Sequence, residues 1–133
     1  MCGIAGFISL NKDKLFIENQ IKMMLSSISH RGPDNEDYYI DESCGLAIGH
    51  RRLSIIDLSK NGSQPMYSYN RNYLLSFNGE IYNHLDLRKD LKNDFNFDLW
   101  RSTSDSETLI NHISFYGLEK TLKKIDGMFS FAI

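Results

Sequence analysis

Short apolar runs of strand length, separated by segments with helical spacing, restrict the possible folds of this 133-residue chain more than any other feature. The runs of strand character lie at 3–10, 38–40, 44–56, 72–77 and 127–133. The first and the last of them are apolar almost throughout and predict buried strands. Because strand-like and helix-like segments alternate without a linker or a repeat, the pattern predicts helices and strands mixed within one compact unit.

Four segments have the spacing or the end signals of helices. They lie at 15–29, 83–92, 104–117 and 118–124. In the first of them the apolar residues recur at intervals of three and four, which predicts one buried stripe. This stripe consists of Ile17, Ile21, Met24, Leu25 and Ile28. Ser104 and Glu107 have the spacing of a capping box, so the third helix should begin there and end at Gly117.

Composition and charge exclude several classes of protein. The chain is 41% hydrophobic, so it has the apolar surface for a core that disordered chains lack. Its net charge is −2 and the sequence has no basic stripe, so neither a nucleic acid nor an anionic membrane is indicated as a partner. Cys2 and Cys44 lack the paired spacing of a zinc site and are too few for a disulfide scaffold. No leader pattern or membrane-spanning run is present, and we therefore expect a cytoplasmic protein.

Cys2 directly follows Met1 and becomes a candidate nucleophile if Met1 is removed. Its thiol can then attack an amide carbon, and its free α-amine, with an unperturbed pKa near ~8, can take up and return the proton. An acylated nitrogen has no basic lone pair, so this chemistry requires cleavage of Met1. The alternative is that Cys2 is a small buried hydrophobic residue.

Three further segments have a purely structural alternative to a functional role. The pair Asn78-Gly79 has the strongest short signal for a hairpin turn. The segment RRLSII can be a strand with a solvated arginine pair, and SDSE at 104–107 can be no more than a helix cap. Each segment alone leaves both interpretations open.

Seven segments, taken in order, resemble those of one protein family. They are MCGIAGF at 1–7, HRGPD at 30–34, GHRRLSIID at 49–57, QPM at 64–66, FNGEIYNH at 77–84, SDSE at 104–107 and GMFSFAI at 127–133. Together they are similar to the glutaminase domain of the glutamine-hydrolysing asparagine synthetases, which are class II glutamine amidotransferases and N-terminal nucleophile hydrolases. The segments HRRLSI and NGEIYN favour this branch over the amidotransferases of purine and glucosamine synthesis. The resemblance covers essentially the whole chain.

The resemblance implies an α+β fold of the N-terminal nucleophile hydrolase type, which is an αββα sandwich with antiparallel sheets covered by helices. It also implies hydrolysis of L-glutamine to glutamate and ammonia through a γ-glutamyl thioester on Cys2. No metal or organic cofactor is expected for this half of the reaction. The ammonia would feed an ATP-dependent asparagine synthetase domain, and that domain alone would need ATP and Mg²⁺.

The resemblance assigns the site residues one by one. The side-chain amide of Asn78 and the backbone N–H of Gly79 would donate to the oxyanion of the tetrahedral intermediate. Arg52 would hold the glutamine α-carboxylate with its planar guanidinium. Glu80 and Asp105 would surround the substrate amide and α-ammonium. Backbone groups following Arg52 would complete the wall, namely those of Leu53, Ser54, Ile55 and Ile56.

The remaining histidine and cysteine residues are interpreted structurally. An N-terminal nucleophile supplies its own base, so no histidine is required for the reaction. His30 and His50 are therefore expected to organise a loop and a strand, and Cys44 is expected in the core.

The run GMFSFAI reaches the last residue, whereas members of the resembled family continue with further strands and a synthetase domain. We therefore expect residues 1–133 to be a partial glutaminase domain, incomplete at its C-terminus, whose synthetase domain lies in cis or in a longer chain. Its expected partners are L-glutamine and that domain, with no nucleic acid and no membrane. Two alternatives stay open, an inactive fragment or interaction module and the glutaminase domain of a sugar- or antibiotic-pathway amidotransferase.

Overall fold

The computed structural model of the chain describes residues 1–11, 13–54 and 59–133. Its strands are β1 Gly3–Ile8, β2 Asn35–Asp41, β3 Leu46–Arg52, β4 Met66–Tyr67, β5 Leu74–Ile81 and β6 Gly127–Ala132. Its helices are α1 Lys14–Ser27, α2 His84–Phe95, α3 Asp105–Tyr116 and α4 Leu118–Leu122. Every strand pairing in the described part of the chain is antiparallel. The predicted α+β class with antiparallel sheets is confirmed.

The strands form two three-stranded sheets, in the orders β1-β3-β2 and β4-β5-β6. In the first sheet β3 lies between its two partners, and Gly3 at the start of β1 is opposite Arg51 near the end of β3. This register carries Cys2 to the end of β3. In the second sheet Asn78 and Gly79 lie within β5, opposite Ser130 and Phe129 of β6.

Each sheet buries one face against a helix. The predicted stripe of α1 packs on the first sheet through Ile17, Ile21 and Leu25, all fully buried. Helix α3 packs on β5 through a second cluster that includes Leu109 and Ile110. Burial of such a side chain stabilises the fold by about 1.5–3 kcal/mol, so these two helices hold the outer faces of the sheets.

The inner faces of the two sheets meet through buried polar groups. The ring Nε2 of His50 on β3 lies 2.9 Å from the carbonyl oxygen of Phe77 on β5. Beside it, Ser76 Oγ donates to the carbonyl oxygen of Gly49 at 3.3 Å. The order through the molecule is therefore α1, first sheet, second sheet, α3.

Several predictions of burial were wrong, although the strands themselves form. Strand β6 is largely exposed, with Met128 at 70%, and β1 ends at the exposed Ile8. Both are outer strands of their sheets, so their side chains have fewer neighbours to cover them. Cys44 was expected in the core but lies exposed in the turn before β3. Met24 of the predicted stripe is also exposed.

In the part of the chain that the structure describes, no helix combines the length and the apolar character that crossing a membrane requires.

Candidate active site

A cavity of about 310 Å³ opens where the ends of β1 and β3, strand β5 and the start of α3 come together. It is lined by most of the residues that the sequence singles out, namely Cys2, Arg52, Leu53, Asn78, Gly79, Glu80 and Asp105. Its other lining residues are Met1, Gly62, Gln64, Phe77, Ser104, Ser106 and Met128. Residues as far apart in the chain as Cys2 and Met128 thus line one cavity.

Ser54, Ile55 and Ile56 complete the set of predicted site residues. Ser54 is not in the cavity lining, and its backbone N–H donates to Asp34 Oδ2 at 2.7 Å. Ile55 and Ile56 lie outside the described residues. The predicted backbone wall is therefore represented in the described cavity by Leu53.

The thiol of Cys2 is held against the segment that leaves β3. The Leu53 N–H donates to Cys2 Sγ at 3.4 Å, and Sγ lies 3.6 Å from the Leu53 carbonyl oxygen. The carbonyl oxygen of Cys2 accepts from Arg31 Nε at 3.0 Å. Met1 is 72% exposed and lines the same cavity. The thiol is thus fixed on one side while Met1 occupies space beside it.

Asn78 and Gly79 lie in the middle of β5, so the hairpin-turn alternative for this pair was wrong. A Cβ added at Gly79 would meet the Met128 carbonyl oxygen at 2.3 Å. The close approach of β6 therefore requires glycine here. Asn78 Oδ1 is buried and has no hydrogen-bond partner among the described residues. An unpaired buried polar atom is costly, and such atoms in native structures often mark function.

Arg52 and Glu80 bring opposite charges to the cavity. Arg52 is only 8% exposed, and its Nη1 donates to the Ser59 carbonyl oxygen at 2.7 Å. Glu80 follows Gly79 on β5 and is exposed at the cavity edge. The guanidinium is thus largely desolvated and oriented, whereas the Glu80 carboxylate stays in contact with water.

Asp105 is the first residue of α3 and is 6% exposed. Its Oδ2 accepts from Ile81 N–H at 2.9 Å, and its Oδ1 accepts from Ser106 N–H at 2.9 Å. Burial raises the pKa of the Asp105 carboxyl, and these two donors together with His84 counteract the rise. The carboxylate is therefore fixed in direction before any ligand arrives.

The start of α3 is anchored by the predicted cap and by a buried carboxylate. Ser104 Oγ accepts from Glu107 N–H at 3.2 Å, as a capping box requires. The Glu107 side chain turns away from Ser104 and instead accepts from Ser102 N–H at 2.8 Å and from Arg101 N–H at 3.1 Å. Glu107 thus fixes the loop that leads to Asp105.

The histidines are placed outside the cavity lining. His50 is 1% exposed and joins the two sheets, in agreement with its predicted role as a strand organiser. Burial lowers the pKa of His50 to about 4. His30 is exposed in the short turn after α1.

Gln64 is the lining residue that sequence reasoning missed. It belongs to the quoted segment QPM, but no role was assigned to it there. Its side chain is 7% exposed, and its Oε1 accepts from Phe77 N–H at 2.6 Å. Its position as a polar residue within the segment QPM could have marked Gln64 as a candidate. Its hydrogen-bond partner lies thirteen residues away on β5, so the contact itself could not be predicted from neighbouring residues.

Among the described residues no three His, Cys, Asp or Glu side chains are placed to hold a metal ion.

Comparisons with known proteins agree with the geometry. A family profile described as glutamine amidotransferase domain matches residues 1–133. The chain is 42% identical over 140 residues to asparagine synthetase (glutamine-hydrolysing) 1 of Bacillus subtilis, and 34% identical over 133 residues to asparagine synthetase B (glutamine-hydrolysing) of Escherichia coli. It is 32% identical over 142 residues to amidase chry2 of Gibberella zeae.

These alignments cover all of this chain but only 20%, 23% and 21% of the three relatives, respectively. The chain therefore spans about a fifth of the length of the curated relatives it matches.

Proposed function

Because the chain belongs to the glutamine amidotransferase domain family, we propose that it hydrolyses L-glutamine to glutamate and ammonia with Cys2 as the nucleophile. One observation carries the proposal: Cys2, Arg52, Asn78 and Asp105 line a single cavity. A nucleophile, an amide donor, a cation and an anion are the groups that an amide-bearing amino acid zwitterion requires.

The thiol of Cys2 attacks the side-chain amide carbon of glutamine, and the freed α-amine of Cys2 takes up the thiol proton. Collapse of the tetrahedral intermediate breaks the C–N bond, and the same proton passes to the leaving nitrogen, which departs as ammonia. Water then attacks the γ-glutamyl thioester and releases glutamate, while the amine returns a proton to the sulfur. Asn78 and Gly79 donate to the oxyanion, and removal of one such donor typically costs about 3 kcal/mol of barrier.

The charged residues select the substrate. The planar guanidinium of Arg52 binds the α-carboxylate, and Asp105 with Glu80 binds the α-ammonium and the side-chain amide. Leu53, Ser54, Ile55 and Ile56 follow Arg52 and are proposed to contribute the backbone wall. The buried positions of Arg52 and Asp105 support this assignment, since charge pairing gains strength away from water.

The fold supports the same proposal at a finer level. The order α1, first sheet, second sheet, α3, with antiparallel pairing in both sheets, is the order expected of an N-terminal nucleophile hydrolase sandwich. We assign the chain to that architecture.

The ammonia is proposed to pass to an ATP-dependent asparagine synthetase domain on a longer chain. The similarity to the asparagine synthetases of Bacillus subtilis and Escherichia coli supports aspartate as the acceptor. The similarity to a protein named amidase chry2 favours a second candidate, which is delivery of the ammonia to a different acceptor.

Retention of Met1 provides the test of the nucleophile. Full-length protein that keeps Met1 should fold normally but lose glutaminase activity by about 10²–10⁴-fold, because the α-nitrogen of Cys2 is then part of a peptide bond and cannot act as a base. Cys2→Ala in the processed protein should be equally inactive, while Cys44→Ala should keep full activity because Cys44 is exposed outside the cavity. Ammonia release from L-glutamine is measured, and mass spectrometry establishes whether Met1 is present. Full activity in a sample proven to retain Met1 would exclude the mechanism.

A further inference from the structure

Strand β5 presents the backbone N–H groups of Phe77, Gly79 and Ile81 on its edge away from β6. The Phe77 N–H donates to Gln64 Oε1 at 2.6 Å, and the Ile81 N–H donates to Asp105 Oδ2 at 2.9 Å. Neither group therefore points toward β6. The β5–β6 register runs without a bulge along the whole pair, and N–H directions alternate along a strand, so the Gly79 N–H points the same way.

The short neighbouring strand explains why side chains take these positions. Strand β4 has two residues, which pair with Leu75 and Leu74, and in the described part of the chain the ladder on this edge ends before Phe77. A buried backbone N–H without a partner is costly, and a side-chain oxygen can replace the missing strand. Gln64 and Asp105 fill the outer two positions, and the Gly79 donor between them faces the cavity that Gly79 lines.

The chemistry of the donor fixes the orientation of the Gln64 amide. A backbone N–H can only donate, so the Gln64 atom 2.6 Å from Phe77 N is the oxygen. The carbonyl oxygen of Phe77, in the next peptide unit along the chain, accepts from His50 Nε2 at 2.9 Å. That carbonyl belongs to the same peptide unit as the N–H of Asn78. Gln64 thus holds the peptide unit before Phe77, and His50 holds the peptide unit after it.

We propose that Gln64 is a positioning residue, which holds the Phe77 N–H and thereby sets the place of Asn78 and Gly79 relative to the reacting carbonyl. This inference rests on the proposed glutaminase function for its kinetic consequence, but the structural contact stands without it. Gln64 acts through the strand and does not itself stabilise the oxyanion. A displacement of the donors by about 1 Å can lower a rate about 100-fold. Loss of the Gln64 contact should therefore lower the rate strongly even if the strand shifts only slightly.

The kinetic test compares Gln64→Met with Gln20→Met in the full-length protein. Methionine has a similar length but no acceptor oxygen for Phe77 N–H. Gln64→Met should lower kcat for glutamine hydrolysis by roughly 10- to 100-fold and leave KM within about twofold, because oxyanion donors act in the transition state. Gln20 is the chain's other glutamine and lies on α1 outside the cavity, so Gln20→Met should change neither constant.

Amide hydrogen exchange supplies a readout that does not depend on activity. In Gln64→Met the Phe77 N–H should exchange at least about tenfold faster, while the Ile81 N–H, held by Asp105, keeps its protection. Gln64→Glu retains an acceptor oxygen and should keep Phe77 protected. Gln64→Leu also lacks an acceptor, so it serves as the second test of the lost contact if Gln64→Met fails to fold. If the unsubstituted protein releases no ammonia from glutamine, the proposed function fails, while the exchange result still tests the contact.

Two results would overturn the assignment. A raised KM with unchanged kcat in Gln64→Met would make Gln64 a substrate-binding residue instead. Unchanged exchange at Phe77 in a folded Gln64→Met protein would show that the contact does not hold the strand.

Discussion

Arg52 and Asp105 are held in largely buried positions by different contacts. Arg52 donates to the Ser59 carbonyl oxygen, while each carboxylate oxygen of Asp105 accepts a backbone N–H. A buried polar or charged group destabilises a protein unless it is hydrogen-bonded, so these contacts offset part of the cost of holding both groups beside the cavity.

Arg52→Lys tests the proposed α-carboxylate contact. Lysine keeps the charge but loses the planar fork, so KM for glutamine should rise about tenfold or more while kcat changes less than about threefold. Steady-state kinetics of ammonia release in the full-length protein measure both constants.

The matched control is the neighbouring Arg51→Lys. Arg51 forms an ion pair with Glu36 and donates to the Leu25 carbonyl oxygen, away from the cavity. Its KM should stay unchanged. An unchanged KM in Arg52→Lys as well would remove Arg52 from the substrate site.

Among the elements, the loop before α3 depends on one buried carboxylate. Besides the two backbone donors, Glu107 accepts from Arg101 Nε at 3.1 Å and from Ser102 Oγ at 2.8 Å. Arg88 supports the same loop from α2, since its Nη2 donates to the carbonyl oxygens of Ser102 and Ser104 at 3.0 Å. The position of Asp105 in the cavity is thus set by contacts on the far side of the loop.

Glu107→Gln should lower the free energy of unfolding by about 2–3 kcal/mol. The new amide turns an NH₂ group toward donors, and the loss of a partner for a buried group costs this order of energy. Chemical denaturation with circular dichroism measures the change.

Glu119→Gln on α4 serves as the control for Glu107→Gln. The Glu119 side chain is 83% exposed and pairs with Lys123 one turn on, so its removal should cost less than about 0.5 kcal/mol. Equal effects of the two substitutions would contradict the assigned role of Glu107.

For the whole molecule, two buried histidines couple stability to pH. His50 joins the sheets, and His112 Nδ1 lies 2.8 Å from Thr121 Oγ1 between α3 and α4. Burial lowers the pKa of each to about 4, from an ordinary value of 6.5. Between these values the unfolded chain binds more protons than the folded one, so stability is full above pH 6.5 and falls as the pH drops toward 4.

We expect protonation linked to each histidine to lower the free energy of unfolding by up to about 3 kcal/mol as the pH falls from 6.5 to 4. The double variant His50→Gln with His112→Asn keeps a neutral donor near each ring nitrogen that is used, and should flatten the stability curve between pH 6.5 and 4. Denaturation midpoints across this range measure the slope.

His30→Gln is the corresponding control, since His30 is exposed, and should leave the slope as it is. If the double variant loses stability as steeply as the unsubstituted protein, groups other than these two histidines cause the loss of stability between pH 6.5 and 4.

The sequence by itself determined features that depend on neighbouring residues. Most of the buried stripe of α1, namely Ile17, Ile21 and Leu25, and the bounds of α3 at Ser104 and Gly117 follow from spacing and capping within one segment, and the structure has both. The family segments likewise pointed to Cys2 and Arg52, which line one cavity, although periodicity alone would not have found them.

Tertiary structure decided what depends on distant partners. The pair Asn78-Gly79 has a local preference for a turn, yet pairing with β6 some fifty residues later keeps it within a strand. Strand β6 looks buried by composition but lies at a sheet edge, where few side chains cover it. Gln64 accepts a hydrogen bond from the Phe77 N–H because the described pairing of β4 ends before Phe77, so no strand pairs with this N–H. Local sequence encodes conformational preference, but which backbone groups lack a partner is known only once the strands have paired.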